Sequence, residues 1–291
     1  MGYRPRHMSP AISPAARDAT IDFQAGLSFS ARNRQAIADV REGLALWRLA
    51  WTLGWLDIRL RYRGSMLGPF WLTLSTGVMV AALGVLYAKL FKMDLAEYLP
   101  FLALSQVLWA YISTLVSESC STFLQAEGVI RSVRMPLFVF ALRTLVRNLL
   151  VLAHNIVVIV VVFTAYRVWP GWHLLLVVPG LVIWLFVSLA VSLLLGGLCA
   201  RFRDINPIVN SVMQIAFFIT PVIWKPDQLG DYQRLLPLNP FYDLLEIVRA
   251  PLLGESVALT TWAGALLCAG ALCALSWCFF VRARGRVAFW V

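Results

Sequence analysis

Residues 56–71 read LDIRLRYRGSMLGPFW. Asp57, Arg59, Arg61 and Arg63 crowd the first half, charge stops at Gly64, and no charged residue follows until Lys89. A basic amphipathic segment thus runs directly into a charge-free stretch long enough to cross a bilayer. That junction sets both the class of the protein and the side from which the chain enters the membrane.

The rest of the chain agrees. It is 60% hydrophobic and 14% charged over 291 residues, outside the usual range of a soluble domain. Charge-free stretches recur at 64–88, 98–117, 148–166, 168–200, 205–224 and 256–281. A helix needs roughly 20 apolar residues to cross the hydrocarbon core. The expected fold is therefore an all-α membrane protein with six spans, about 67–90, 98–118, 143–166, 173–199, 206–224 and 257–281. None of these runs alternates apolar with polar residues, which excludes a β-barrel. Residues 1–38 are expected to be a disordered cytoplasmic extension, without the apolar core of a signal peptide. Residues 39–291 then form the transmembrane domain.

With six spans, both termini share a side with the second-to-third and fourth-to-fifth connections. That side holds Arg59, Arg61, Arg63, Arg131, Arg134, Arg143, Arg147, Arg201, Arg203, Arg282, Arg284 and Arg286. The other side holds Lys89, Lys92, Arg167, Lys225, Arg234 and Arg249, several of them offset by Asp94, Glu97, Asp227 and Asp231. The excess of arginine makes the termini cytoplasmic. The net charge of +10 is accounted for by topology and anionic lipid, so nucleic acid is not an expected partner.

Upstream of the junction, Trp47, Trp51 and Trp55 repeat every fourth residue, opposed by Arg41, Arg48, Thr52 and Arg59. Tryptophan on one face and arginine on the other is the pattern of a helix lying in the membrane interface, here expected over 39–64. Packing of the same helix on a cytoplasmic partner is compatible with it. Gly64 and Gly68-Pro69 supply the turn into the first span. The connection 125–136 carries Glu127, Arg131 and Arg134, with Val129, Ile130 and Val133 at helical spacing. Asn206-Pro207 and Asn239-Pro240 each read as an N-cap followed by a first-turn proline. Prolines 221, 226, 237, 240 and 251 punctuate the segment between spans five and six. They point to a re-entrant helical hairpin, with an extracellular loop bearing one surface helix as the alternative.

Several chemistries are missing from the sequence. No G-x-x-x-x-G-K-[ST] motif is present, so ATP is not expected to bind here through a P-loop. His7, His154 and His173 are isolated, and no nucleophile motif occurs. Cys268, Cys273 and Cys278, five residues apart, do not share a helical face. The chain is therefore expected to be a transport subunit rather than an enzyme, with no catalytic, cofactor-binding or metal site of its own. The ionisable residues within the spans are Glu118, Arg143 and Arg147, all near the cytoplasmic ends, where a Glu118–Arg147 pair can form. Trp109, Tyr111, Trp224, Phe241 and Tyr242 are candidates to line a glycan path, since sugars stack on aromatic faces. A membrane-interface belt is the other account of the same residues.

The stretch DIRLRYRGSMLGPFW resembles the entry to the first span of ABC-2 type permeases that export polysaccharides, including O-antigen, capsule and teichoic acid. GVIRSVRMP, RFRDIN, FFITPVIW and LNPFYDLLEIVRAPLLG follow in the family's order, and the likeness covers most of the chain from about residue 45. The stretch Gln125 to Gly128 departs from it, because family members commonly carry an Asn before the coupling segment. The resemblance implies a homodimeric channel in a bacterial inner membrane, joined to two copies of a separate P-loop ATPase that binds ATP and magnesium. It also implies a lipid-linked glycan as cargo. In that frame Arg59, Arg61, Tyr62 and Arg63 form the entry gate, and Glu127, Ile130, Arg131 and Arg134 couple to the ATPase. Two other functions compete: export of a small drug or lipid on the same fold, and a membrane-embedded transferase acting on lipid-linked sugars.

Overall fold

The computed structural model describes residues 28–291, which are helical almost throughout and contain no strand. Most of the expected extension, residues 1–27, lies outside the described residues. Its last part does not fit the expectation. Helix α1, Phe29–Ala45, begins ten residues before position 39, with the Ser28 side chain accepting a hydrogen bond from the Ala31 N–H. The single interfacial helix expected over 39–64 is two helices. The chain breaks at Leu46, and α2 runs Trp47–Arg61.

Small residues decide which face of this pair is buried. Ala36, Gly43, Ala50, Gly54 and Ile58 are buried, while Trp47, Trp51 and Trp55 stay about half exposed at 56%, 48% and 49%. The glycines allow close approach to α6, Phe138–Ala165. A Cβ at Gly43 would sit 2.8 Å from the Phe138 Cβ, and one at Gly54 would sit 2.9 Å from the Val146 Cγ1. The tryptophan stripe therefore faces away from the protein, as an interfacial helix requires.

Among the described residues, five helices are long and apolar enough to cross a membrane: α3 (Phe70–Leu90), α4 (Leu95–Ser119), α6 (Phe138–Ala165), α7 (Val177–Arg201) and α10 (Leu259–Ala283). The short α5, Glu127–Ser132, lies between α4 and α6. The stretch expected as a fifth span of 206–224 is α8, Ile205–Ile219. At 1.5 Å per residue it covers about 22 Å, less than the roughly 30 Å of a hydrocarbon core. Asn206 is not its N-cap, because the helix is already under way at Ile205. Instead Asn206 accepts a hydrogen bond from Asn210 at 2.8 Å, and Pro207 falls in the first turn, where a missing N–H costs nothing.

Past α8 the backbone leaves the helix but remains buried at Thr220, Pro221 and Val222. Its carbonyls are answered by side chains: Arg249 donates to Pro221 and the Tyr98 hydroxyl donates to Ile223. Irregular backbone is tolerated at such a position only when protein shields it in this way. A tight helical segment, Pro226–Leu238, kinked at Gly230, leads to α9, Pro240–Leu252. Here the cap reading holds, since the Asn239 side chain accepts from the N–H groups of Phe241 and Tyr242. Helix α9 is deeply buried against α7 and α10.

Helix α4 is the buried centre of the bundle, packed on by α3, α6, α7, α8 and α9. By contrast α3 and α8 are poorly covered: Leu74, Val78, Leu86 and Leu90 on α3, and Ile208, Val212, Ile215, Phe218 and Ile219 on α8, are exposed. The chain closes with α11, Val287–Trp290, tucked against α5 and α7.

The glycine contact at α2 yields a direct check. Gly54→Leu should destabilise the purified protein by the overpacking penalty, about 1–3 kcal/mol, seen as a lowered thermal midpoint. Gly128→Ala, with open space around the site, should not lower it. An unchanged midpoint for Gly54→Leu would show that α2 does not pack closely on α6.

Candidate functional site

Asp57 and Arg61 lie one turn apart on α2 and face the bundle, and α4 and α6 bring three charged residues to meet them. The Arg143 guanidinium grips Asp57 with two parallel hydrogen bonds, 2.7 and 2.6 Å. Arg147, only 4% exposed, spans both carboxylates: Nε donates to Glu118 at 2.7 Å and Nη1 to Asp57 at 3.2 Å. Arg61 reaches the other Glu118 oxygen at 2.8 Å. Asn148 also donates to Glu118 at 2.9 Å, and Gln125 accepts from Arg147 at 3.1 Å. The sequence-level pair of Glu118 with Arg147 is thus present, as part of a larger network.

Three guanidiniums and two carboxylates in this network leave one unit of positive charge. The fork geometry of arginine against carboxylate makes such pairs strong. Removing one partner from a buried pair costs about 3–5 kcal/mol, because the other charge is left unanswered. The network fastens α2 to α4 and α6 through side chains alone. Asp57 entered the sequence reading only as one charge in the junction. The missed signal was its register: Asp57 continues the small-residue stripe of Ala50 and Gly54 toward the bundle.

The four candidate gate residues separate. Arg61 is committed to Glu118, whereas Arg59 and Arg63 are exposed and form no ion pair among the described residues. Tyr62 is half-buried where α2 ends; burial pushes its phenol above the ordinary value, with Arg61 opposing.

A second anchor holds α1. Asp39, 2% exposed, accepts from the N–H groups of Leu137 and Phe138 at 3.2 and 3.0 Å, capping the start of α6 from another helix. Arg284 donates to the same carboxylate at 2.7 Å. A carboxylate suits a helix N-terminus, where the backbone N–H groups are unpaired and the dipole is positive.

The candidate coupling residues lie on and just after α5. Glu127 and Arg131 pair at 3.0 Å across one turn, and Arg131 also donates to the main-chain oxygen of Val291. Ile130 packs on the cluster formed by α1, α6, α7, α10 and α11, and Arg134 is exposed past the helix end. Ile130 thus turns inward, while Arg131 and Arg134 stay exposed.

The aromatic candidates divide between core and rim. Trp109 is buried between Phe217 and Phe241, with ring centroids 5.9 and 5.7 Å away. Tyr111 is buried too, stacked on Trp184 at 5.0 Å and hydrogen-bonded to Ser188 at 2.8 Å. Trp224, Phe241 and Tyr242 are half-buried at the opposite end of the bundle, around α9. That end has its own buried cation, Arg249, held by Glu246 and Ser105 and stacked over the Phe101 ring at 4.6 Å.

Comparison with known proteins bears on the same elements. The ABC-2 type transporter family matches residues 48–253, from α2 through α9. The chain is 27% identical over 197 residues to the O-antigen export system permease protein RfbA of Myxococcus xanthus, covering 67% of this chain and 76% of that protein. A Klebsiella pneumoniae protein of the same name is 23% identical over 194 residues, covering 65% and 74%. The matched span contains both carboxylates and all three arginines of the network, the candidate coupling segment and the buried α9. This multi-pass membrane protein belongs to the ABC-2 type transporter family.

Proposed function

We propose that the chain is the channel-forming subunit of an ATP-driven exporter that carries a lipid-linked polysaccharide of the O-antigen type across the bacterial inner membrane. The observation that carries this reading is the latched helix α2: it displays Arg59 and Arg63 at the foot of a poorly covered α3. The curated relatives, both named as permeases of O-antigen export, supply the cargo class. The arginine-rich ends of α2, α5, α7 and α10 support a reading in which the termini are cytoplasmic.

The uncovered faces of α3 and α8 favour a homodimer. Each protomer leaves apolar side chains on these helices without a neighbour, and α8 also carries Asn206, Asn210, Ser211 and Gln214. Two such faces meeting across a dimer axis would give a wall with polar groups for a sugar chain. Trp224, Phe241 and Tyr242 would receive the glycan at the far end, with Trp109 and Tyr111 supporting them from beneath.

Two copies of a separate P-loop ATPase would bind ATP and magnesium and dock on α5. Closure of that pair would push on Glu127, Ile130, Arg131 and Arg134. The rigid link from α5 through the loop to Arg147 and Glu118 would carry the motion to α2. Arg59 and Arg63 are free to meet the pyrophosphate of the entering lipid through charge-assisted hydrogen bonds, while Arg61 holds the helix.

Three measurements follow from these roles. Deleting the chain in its host should abolish surface polysaccharide while lipid-linked precursor accumulates; unchanged surface polysaccharide contradicts the cargo. Replacing Arg131 and Arg134 together by Glu should reduce export at least about tenfold, the effect of losing one or two charged contacts, without blocking membrane insertion. Normal export with normal ATPase association would remove them from the coupling face. Arg59→Glu with Arg63→Glu should cut export while ATPase association persists, and full export would exclude both from the entry path.

A further inference from the structure

An open cleft of about 680 Å³ lies between the second half of α6, the start of α7 and the buried α9. Its wall is apolar, with Ile156, Val160 and Phe163 on one side and Leu181, Val248 and Leu252 on the other. It sits at the end of the bundle opposite the Asp57–Glu118 network. One cation, Arg167, stands at its mouth.

Arg167 is unusual in three respects. Its side chain is exposed and has no hydrogen bond or ion pair among the described residues. Its φ is +55°, the left-handed conformation that glycine adopts without strain. It occupies the position after the end of α6 where helices commonly carry Gly: the Val168 N–H donates to the Phe163 carbonyl at 2.9 Å across it. The left-handed conformation disfavours a side chain at this position, so glycine would satisfy the turn better than arginine. The turn alone does not call for a guanidinium.

The surroundings fix its depth. Trp169 is 86% exposed and Trp172 is 69% exposed, with Trp172 stacked on His173 at 4.0 Å. Exposed tryptophans beside a helix end mark the headgroup level of a bilayer. Arg167 is thus placed among headgroups, above a cleft whose apolar wall descends into the acyl region. Clefts of this volume, lined by apolar side chains with a single polar anchor, suit a ligand with one charged end.

We propose that this cleft binds one anionic glycerophospholipid per chain, an acyl tail between α6, α7 and α9 and its phosphate on Arg167. The charge complementarity of a guanidinium that makes no ion pair among the described residues with a phosphodiester at headgroup depth selects this occupant. The inference rests on membrane embedding and is independent of the cargo assigned above.

The test uses the purified full chain in detergent with dioleoyl phosphatidylglycerol as probe, read by native mass spectrometry as lipid retained per chain. Arg167→Gly relieves the left-handed strain and should fold at least as well as the parent. It should nevertheless retain about tenfold less phosphatidylglycerol, the loss expected of one charge-assisted contact. Lys92→Gly is the matched control: Lys92 has φ +54° in the corresponding turn after α3, and its replacement should leave retention unchanged. Leu181→Trp, which fills the cleft, should also lower retention, and dioleoyl phosphatidylcholine should be held less well than phosphatidylglycerol by the parent only. Equal retention by the parent and Arg167→Gly, or equal losses in Arg167→Gly and Lys92→Gly, would overturn the proposal.

Discussion

The pairing of Asp57 with Arg143 and Arg147 is the constraint on which the rest depends. A helix with tryptophan on one face and arginine on the other has good reason to lie in an interface and little reason to stay against one bundle. Glycine and alanine let α2 come close to α6, but close approach of small residues adds little burial. The charges supply the attachment. They do so economically, because one buried guanidinium, Arg147, serves carboxylates from two different helices and so fixes α2, α4 and α6 relative to each other. Leaving out either carboxylate adds uncompensated positive charge beside the buried Arg147. Moving α2 therefore requires moving the unit as a whole, which is the property a lever needs.

The same logic recurs at the two ends of the bundle. Asp39 joins α1 to the start of α6 and to Arg284, so α1, α6 and the end of α10 share one buried carboxylate. At the opposite end Arg249 of α9 holds the irregular backbone after α8 and the Phe101 ring of α4. Ion pairs and capped backbone thus mark the places where non-spanning elements meet spanning ones, whereas the spans pack on each other mainly through apolar contact. The elements attached by polar anchors include α2, α5 and α9, for which entry, coupling and exit roles are proposed.

Much of this was legible in the sequence. Charge-free stretches of sufficient length announce spanning helices directly, because the bilayer imposes a length on any helix that crosses it. Asn239-Pro240 declared its helix start because cap and proline act locally. The pairing of Glu118 with Arg147 was readable as the nearest solution for charges in a bilayer. Other features were hidden because they depend on tertiary contact. The small-residue stripe looks unremarkable beside three tryptophans, and only the partner helix shows why Gly54 must be small. Asp57 carries no sign that it faces α6 and not solvent. Helix α8 stops at Ile219 because Arg249 and Tyr98, distant in sequence, satisfy the carbonyls that follow. The same distance effect moved Trp109 and Tyr111 from candidate surface to core: their packing partners lie on α7, α8 and α9.

The most direct measurement is hydrogen exchange across α2 in the full protein, held in lipid nanodiscs, comparing the parent with the Asp57→Asn, Glu118→Gln double variant. If the charge network fastens the helix, amides of residues 47–61 are protected in the parent and exchange at least about a hundredfold faster in the variant, as local opening without global unfolding. The interiors of α4 and α6 keep their protection. Unchanged exchange across α2, or acceleration shared equally by α4 and α6, would contradict the account.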